Sequence, residues 1–457
     1  MKLIKWMLVA AIILGANGTV RASFHLWRIA ELYSNADGTV QFVELSTAAG
    51  GEQFLTGHML TSTNASLTHS FTFLSDLPGG TTNKTFLIGT AGFAALSSVA
   101  PDYIVPNGFF ITCGNPCADA SAQVNFADVD MLAYGGTLPR DGTHSLLRTG
   151  ATAINSPRNF AGATGTITLP VAGDFDGDNS ADLTVWRAST GNWHVLKSNA
   201  GYTTSASFAW GLSTDTPVPG DYDGDGRIDP AIFRPSTGLW AILKSSSAYT
   251  SATYVSWGLS TDMPVPADFD GDGRSDPAVY RPSTGNWHTL QSTTGYATSG
   301  MATWGLSTDV PLPGDYDGDG KADPTVFRPS TGGWFVLRSS TNYTTSFGVS
   351  WGLSTDIPVP GDYDGDGKID PAVWRASTGG WHILKSSGGY TTSTSVAWGL
   401  STDVPVPGRF DSDGMADPAV WRPSTGGWHI LKSSTSYTTS ISRSWGLSTD
   451  SPVLKRP

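Results

Sequence analysis

Residues 361–375 read GDYDGDGKIDPAVWR and place Asp362, Asp364, Asp366 and Asp370 within nine residues. Carboxylates this close repel one another unless something neutralises them. The same spacing starts at Asp174, Asp221, Asp268, Asp315 and Asp362, each step being 47 residues, and a sixth copy at that step opens on Arg409. Two tryptophan series keep the register: Trp193, Trp240, Trp287, Trp334, Trp381, Trp428, and Trp210, Trp257, Trp304, Trp351, Trp398, Trp445. Tyrosines recur likewise from Tyr202 to Tyr437. Residues 168–457 therefore hold six tandem units and a short tail, and a period of this size belongs to propellers, solenoids or arrays.

One unit, 216–262, narrows the choice. Four β-prone runs, around 218–222, 231–234, 239–244 and 252–259, are separated by an Asp/Gly loop, a Pro-Ser-Thr-Gly turn and a Ser/Thr-rich stretch. No run has a helical period. Four strands in about 47 residues make one propeller blade. Apolar neighbours such as Ile232-Phe233 and Ile242-Leu243 put bulk on both faces of the middle strands, as a blade covered on both sides requires. The fold expected is all-β, with a six-bladed propeller. The tryptophans and tyrosines are expected to fill the space between blades.

The loop pattern is D-x-D-x-D-[GN]-x-x-D. Its carboxylates at positions 1, 3, 5 and 9 converge on one centre if the chain turns tightly. The candidate ligands are Asp174, Asp176, Asp178 and Asp182; Asp221, Asp223, Asp225 and Asp229; Asp268, Asp270, Asp272 and Asp276; Asp315, Asp317, Asp319 and Asp323; and Asp362, Asp364, Asp366 and Asp370. Position 6 is Gly226, Gly273, Gly320 and Gly367, with Asn179 in the first unit, residues that tolerate positive φ. An all-oxygen, flexible ligand set suits Ca2+ better than Mg2+, at about five sites. The sixth loop, RFDSDGMAD, keeps only Asp411, Asp413 and Asp417. It is expected to be a weak or empty site in which Arg409 pairs with those carboxylates in place of a metal.

These repeats resemble FG-GAP/VCBS-type repeats, the calcium-loop blades of the integrin α-subunit propeller and of many bacterial surface proteins. The resemblance implies a β-propeller with calcium in the loops between strands, held by the aspartates named above. Integrin propellers have seven blades, so the count of six comes from this sequence.

Residues 23–160 lack the repeat. FHLWRIAELYSNADGTVQFVELST (24–47) reads as two strands around a turn at 35–38, and FTFL, TFLIG and GFFIT are further β runs. One β-sandwich fits. The stretch IAELYSNADGTVQFVEL resembles the lamin-tail (LTD) domain, which implies an immunoglobulin-like sandwich used in binding or anchoring. Glu31 and Glu44 are expected to face each other on a solvated strand surface. A linker is expected at 161–167. Residues 1–22 have Lys2 and Lys5 ahead of a short apolar run and then small residues, the pattern of a secretory signal peptide. The run is too short for a transmembrane anchor. In an oxidising compartment Cys113 and Cys117, the only two cysteines, are expected to form a local disulfide.

The formal charge is −12, and loss of Lys2, Lys5 and Arg21 with the leader makes the remainder more acidic, so nucleic acid is not expected as a partner, since binding phosphates needs a basic surface. No H-E-x-x-H, G-x-S-x-G or phosphate loop occurs. His194, His288, His382 and His429 share a repeat position with Ala241 and Phe335, so packing explains them better than ligation. No catalytic residue is expected. The function expected is a secreted or cell-surface calcium-binding adhesion module for a protein or glycan ligand. The alternative is a multivalent lectin using the tryptophans with Arg187, Arg234, Arg281, Arg328, Arg375 and Arg422. A polysaccharide-degrading enzyme is the remotest reading.

Overall fold

The computed structural model describes residues 25–34, 40–96, 99–111, 121–135, 138–139, 144–164, 171–411 and 413–454. The expected signal peptide and the Cys113–Cys117 pair lie outside the described residues, as do residues 165–167 of the expected linker. Among the described residues the chain is almost entirely β, and no helix is long and apolar enough to cross a membrane.

The N-terminal part builds ten strands: β1 (Arg28–Ser34), β2 (Gln41–Thr47), β3 (Met59–Thr63), β4 (Thr68–Thr72), β5 (Lys84–Thr90), β6 (Tyr103–Val105), β7 (Gln123–Phe126), β8 (Asp130–Ala133), β9 (His144–Leu147) and β10 (Thr152–Ile154). They form a six-stranded sheet, β10-β9-β1-β2-β5-β6, and a four-stranded sheet, β4-β3-β7-β8. Ile29, Val43, Leu45, Phe86 and Ile88 of the first meet Leu60, Val124, Phe126 and Leu132 of the second in one apolar core. The other face of the large sheet is covered as well: Tyr33, Phe42 and Leu87 pack with Phe93 of a short helix, α1 (Ala91–Leu96). The β5–β6 pair is parallel, a departure from a purely antiparallel sandwich.

Two expectations fail here. GFFIT is not a strand over its described residues 108–111. Phe109, Phe110 and Ile111 are buried, but the Gln41 side chain takes the place of a neighbouring strand. Its Oε1 accepts from Phe110 N at 3.0 Å, and its Nε2 donates to Phe110 O at 2.6 Å. Glu31 and Glu44 do face each other, but they are buried rather than solvated. Glu31 accepts from Ser145 Oγ and Ser156 N, and Glu44 from Arg158 N. These bonds draw the chain leaving β10 across the sheet. Burial, and then the Glu31 charge, push the Glu44 carboxyl up to about 7.

From residue 171 onward there are six four-stranded antiparallel sheets. In the second, the strands Thr216–Pro217, Ala231–Arg234, Leu239–Leu243 and Ala252–Ser256 pair in chain order. The three later runs fall where the sequence places them. The first strand comes two residues earlier than expected. Residues 218–222 lead into the acidic loop instead, because that turn must already be closing: a bridge joins Gly220 to Asp229. Trp240 lies opposite Phe233 with ring centroids 5.4 Å apart, and every member of the first tryptophan series is buried. Burying each such side chain contributes on the order of 2 to 3 kcal/mol.

The array closes on itself. The first sheet, Leu183–Arg187, Asn192–Leu196 and Ser205–Ala209, takes its fourth strand from the far end of the chain, Ser451–Pro452. A turn closed by Asp450 N to Leu447 O at 2.9 Å leads from the sixth sheet into this last strand. Asp450 receives Arg187 in a two-pronged ion pair at 2.8 Å for both bonds, as Asp215 receives Arg234 within the second sheet. Propeller-like rings closed in this way leave no sheet edge at the seam.

Arg187→Ala strands the fully buried Asp450 carboxylate and should lower stability by about 2 kcal/mol, seen as a lower melting temperature, with Asp450→Asn in the same background recovering part of it. Glu44 has a raised folded pKa, so it binds a proton more readily folded than unfolded, and its contribution to stability falls as pH rises from about 4.5 to about 7. The melting temperature of Glu44→Gln relative to wild type should therefore be higher at pH 8 than at pH 5, and a pH-independent difference would contradict the assignment.

Candidate metal centres

Each acidic loop is shaped by its first aspartate. Asp221 Oδ1 accepts from Gly224 N at 2.6 Å and Oδ2 from Gly226 N at 2.9 Å, so the carboxylate folds the loop around itself. This needs positive φ at position 6, where Gly226 lies at 83° and Asn179 at 66°. Position 4 needs it too: Gly224 lies at 81°, and a Cβ there would stand 2.6 Å from Arg274 Nε of the next unit.

Five groups of three carboxylates result, each with ligand atoms within 4.8 Å of one another: Asp174, Asp176 and Asp182; Asp221, Asp223 and Asp225; Asp268, Asp270 and Asp272; Asp315, Asp317 and Asp323; Asp362, Asp364 and Asp370. The remaining expected ligands, Asp178, Asp229, Asp276, Asp319 and Asp366, belong to the same loops but lie outside these groups and are engaged in hydrogen bonds. Asp229 accepts from Tyr222 N and Ser245 N, and Asp319 from Lys321 N and Ser339 Oγ.

The donor set fits a hard cation on one further observation. At position 3, Oδ1 of Asp176, Asp223, Asp270, Asp317 and Asp364 is buried and has no hydrogen-bond partner. The other oxygen is taken: Ser246 Oγ donates to Asp223 Oδ2 at 2.6 Å, as Thr293, Ser340 and Ser387 do in their own units. One oxygen of each position-3 aspartate is thus held and the other left bare.

Burial dominates the electrostatics. It pushes Asp221 up to about 7 and Asp315 up to about 8, against the pull of two backbone N–H groups on each. Asp174 and Asp362 rise to about 6, and Asp268 rises well above the usual range. At position 9, burial and a neighbouring carboxylate raise Asp229 and Asp370 to about 7. A divalent cation would favour the ionised forms that burial disfavours.

The sixth loop keeps the bare, buried Oδ1 at position 3, on Asp411, with Oδ2 held by Ser434 Oγ at 2.6 Å, but it has no carboxylate at position 1. Asp411, Asp413 and Asp417 are not among the converging groups. Asp413 is raised by burial, with the Asp411 hydrogen bond and charge adding to it. Arg409 does not pair with its own loop as expected. Its Nη2 lies 3.7 Å from Asp362 Oδ2 in the fifth loop. The longer Arg409 side chain reaches back to the preceding unit, whereas the position-1 aspartates of the other loops turn into their own loops.

The loops also join the sheets. The N–H at position 8 donates to the position-1 carbonyl of the preceding loop: Ile228 to Asp174 at 2.8 Å, Ser275 to Asp221 and Ala322 to Asp268 at 2.6 Å, Ile369 to Asp315 at 2.8 Å, and Ala416 to Asp362 at 2.6 Å. Ala181 to Arg409 at 2.5 Å completes the circuit.

Sequence reasoning missed Ser198, Ser245, Ser292, Ser339, Ser386 and Ser433. Their N–H groups donate to the position-9 carboxylates at 2.6 to 2.7 Å, and their hydroxyls to position 5. The signal was the same 47-residue recurrence.

The arginine series is committed elsewhere. Each of the six pairs two-pronged with an aspartate of a WGLSTD segment, and only about a quarter of each arginine side chain is exposed. The half-buried second tryptophan series donates its indole N–H across to the next sheet, from Trp210 to Ala241 O and finally from Trp445 to His194 O, both at 3.0 Å. The acceptor is a backbone carbonyl, which is why His, Ala and Phe all serve at that position.

No family model matches the chain, and no curated protein matches it. Among solved structures it is similar to an Agrocybe aegerita lectin described as recognising non-reducing terminal N-acetylglucosamine, at 12% identity over 59% of this chain and 77% of the other, with a TM-score of 0.42. It is also similar to a protein from Lactobacillus plantarum, at 8% identity over 73% and 94%, with a TM-score of 0.32. At these TM-scores neither likeness carries an argument about ligand or mechanism.

Asp223→Asn removes one charge from the second group. In EDTA the variant should melt at or above wild type, because the buried repulsion is relieved. In millimolar calcium it should melt below wild type, because a ligand is lost. The same shift in both buffers would argue against a cation there.

Proposed function

We propose that the chain is a secreted or cell-surface calcium-binding protein that acts as a binding or adhesion module and not as an enzyme. In this reading residues 168–457 form a six-bladed propeller of FG-GAP/VCBS-type repeats, with a lamin-tail-like, immunoglobulin-like sandwich before it. Calcium is structural: it fixes the five complete loops and through them the joints between blades. The observation that supports this is the bare, buried Oδ1 at position 3 of each acidic group. Hydrogen-bonding residues surround each group but leave that atom unpaired.

The alternative, a multivalent carbohydrate-binding propeller, draws on one feature. Leu212, Leu259, Leu306, Leu353, Leu400 and Leu447 each stand more than half exposed at one repeat position, beside the half-buried tryptophans. Six equal contacts suit a repetitive ligand through avidity. The arginines and indole N–H groups proposed for sugar binding are already paired, so this reading would rest on apolar and hydroxyl contacts.

The test of the calcium reading is calorimetric. A metal bound only by the folded state at a hundredfold over its Kd adds about 2.7 kcal/mol per site, so calcium should raise the melting temperature of the full chain and EDTA should reverse the rise. An unchanged melt would remove calcium from the proposal. A glycan array probed with calcium and with EDTA separates the two ligand classes: calcium-dependent binding to a narrow sugar class favours the lectin, and a blank array favours a protein ligand.

A further inference from the structure

Resting on the calcium reading above, we propose that Arg409 is a built-in cation that weakens the fifth calcium site and holds the joint between the fifth and sixth sheets when calcium is scarce. At the first position of the sixth loop the chain carries a guanidinium where the other five loops carry a carboxylate. That group lies 3.7 Å from Asp362 Oδ2. Asp362 is the carboxylate around which the fifth loop folds, accepting from Gly365 N at 2.7 Å and Gly367 N at 3.1 Å. A divalent cation held by Asp362, Asp364 and Asp370 would share Asp362 with a fixed positive charge.

The neighbouring units make the fifth loop singular. In the first four loops the position-4 glycine lies beneath a basic side chain of the next unit: Arg227, Arg274, Lys321 and Lys368 stand over Gly177, Gly224, Gly271 and Gly318. Over Gly365 the corresponding residue is Met415. The positive group has moved from the rim of the loop to its innermost carboxylate. The same residue closes the circuit of loops, since its carbonyl accepts the Ala181 N–H. Arg409 therefore touches the fifth loop with its side chain and the first with its backbone carbonyl, so the sixth loop is joined to both of its neighbours through this residue.

The consequence is a graded response: four sites of similar affinity and a fifth weaker by at least roughly tenfold, from like-charge repulsion at short range in a partly buried site. Isothermal titration of the full chain with calcium reads this directly. Arg409→Ala should bring the fifth site level with the other four, and Arg409→Asp, which restores the missing carboxylate, should add a sixth. Arg409→Ala should also melt lower than wild type in EDTA, with the deficit lost in saturating calcium. Five equivalent sites in the wild-type chain, or a fifth site unmoved by Arg409→Ala, would overturn the proposal while leaving the calcium reading intact. An equal melting deficit in both buffers would reduce Arg409 to a packing residue and overturn it too. No calcium binding at all would bring down the calcium reading itself.

Discussion

Each four-stranded sheet of the repeat region carries apolar side chains on both faces of its middle strands and cannot be stable by itself, so everything depends on how one sheet is handed to the next. Two sets of hydrogen bonds do this. One runs through the acidic loops, from the position-8 N–H to the preceding position-1 carbonyl. The other runs through the second tryptophan series, from an indole N–H to a carbonyl of the next sheet. Both return to their starting unit, the first through Ala181 and Arg409, the second through Trp445 and His194. The apolar packing between them supplies most of the energy, and the polar belts fix the register in which it is gained.

The loop belt carries a contradiction within it. To present its first carbonyl to the next unit, the loop must turn tightly, and it does so by wrapping backbone N–H groups around a buried aspartate. Further aspartates are then brought within a few ångströms of the first. Burial and mutual repulsion raise their pKa values into the neutral range, so near pH 7 the bare loop must either hold protons or tolerate charge. The serines that follow the third strand satisfy some of the oxygens, but not the position-3 Oδ1 atoms. A cation would resolve the conflict at the place where two sheets meet, and its effect would therefore be felt beyond a single loop.

The repeat made most of this legible. Equal spacing of Asp, Trp and Tyr disclosed the number of units, and the alternation of apolar runs and turn residues located three of the four strands. What escaped was what a single unit does not contain. The last strand joins the first sheet through Asp450 and Arg187, residues 263 apart, and no local pattern announces that pairing. The destination of Arg409 was misread for the same reason: a loop read alone suggests that its odd residue answers its own carboxylates, whereas the geometry sends it to the preceding unit. In the N-terminal part there is no repeat to average over. There GFFIT looked like a strand because it is apolar, although Gln41 satisfies its backbone, and Glu31 and Glu44 looked solvated because they are charged, although the segment 156–158 covers them.

Those same belts limit where a ligand can be met. Arginine and aspartate neutralise each other in every unit, and the indole N–H groups are spent on neighbouring sheets, so the residues that look most like binding groups in the sequence are structural. The surface left free in every unit is the outer strand, which alternates between exposed and half-buried residues such as Ser205–Ala209, together with the leucine of WGLSTD. That leucine is held outward deliberately by the turn: Asp215 Oδ2 accepts the Leu212 N–H at 2.9 Å, and the arrangement recurs from Leu259 to Leu447. A side chain more than half exposed and identical in all six units contributes nothing to the core that would explain its uniformity. Six copies of one apolar side chain, each more than half exposed, are thereby set around a ring whose spacing is fixed by the belts.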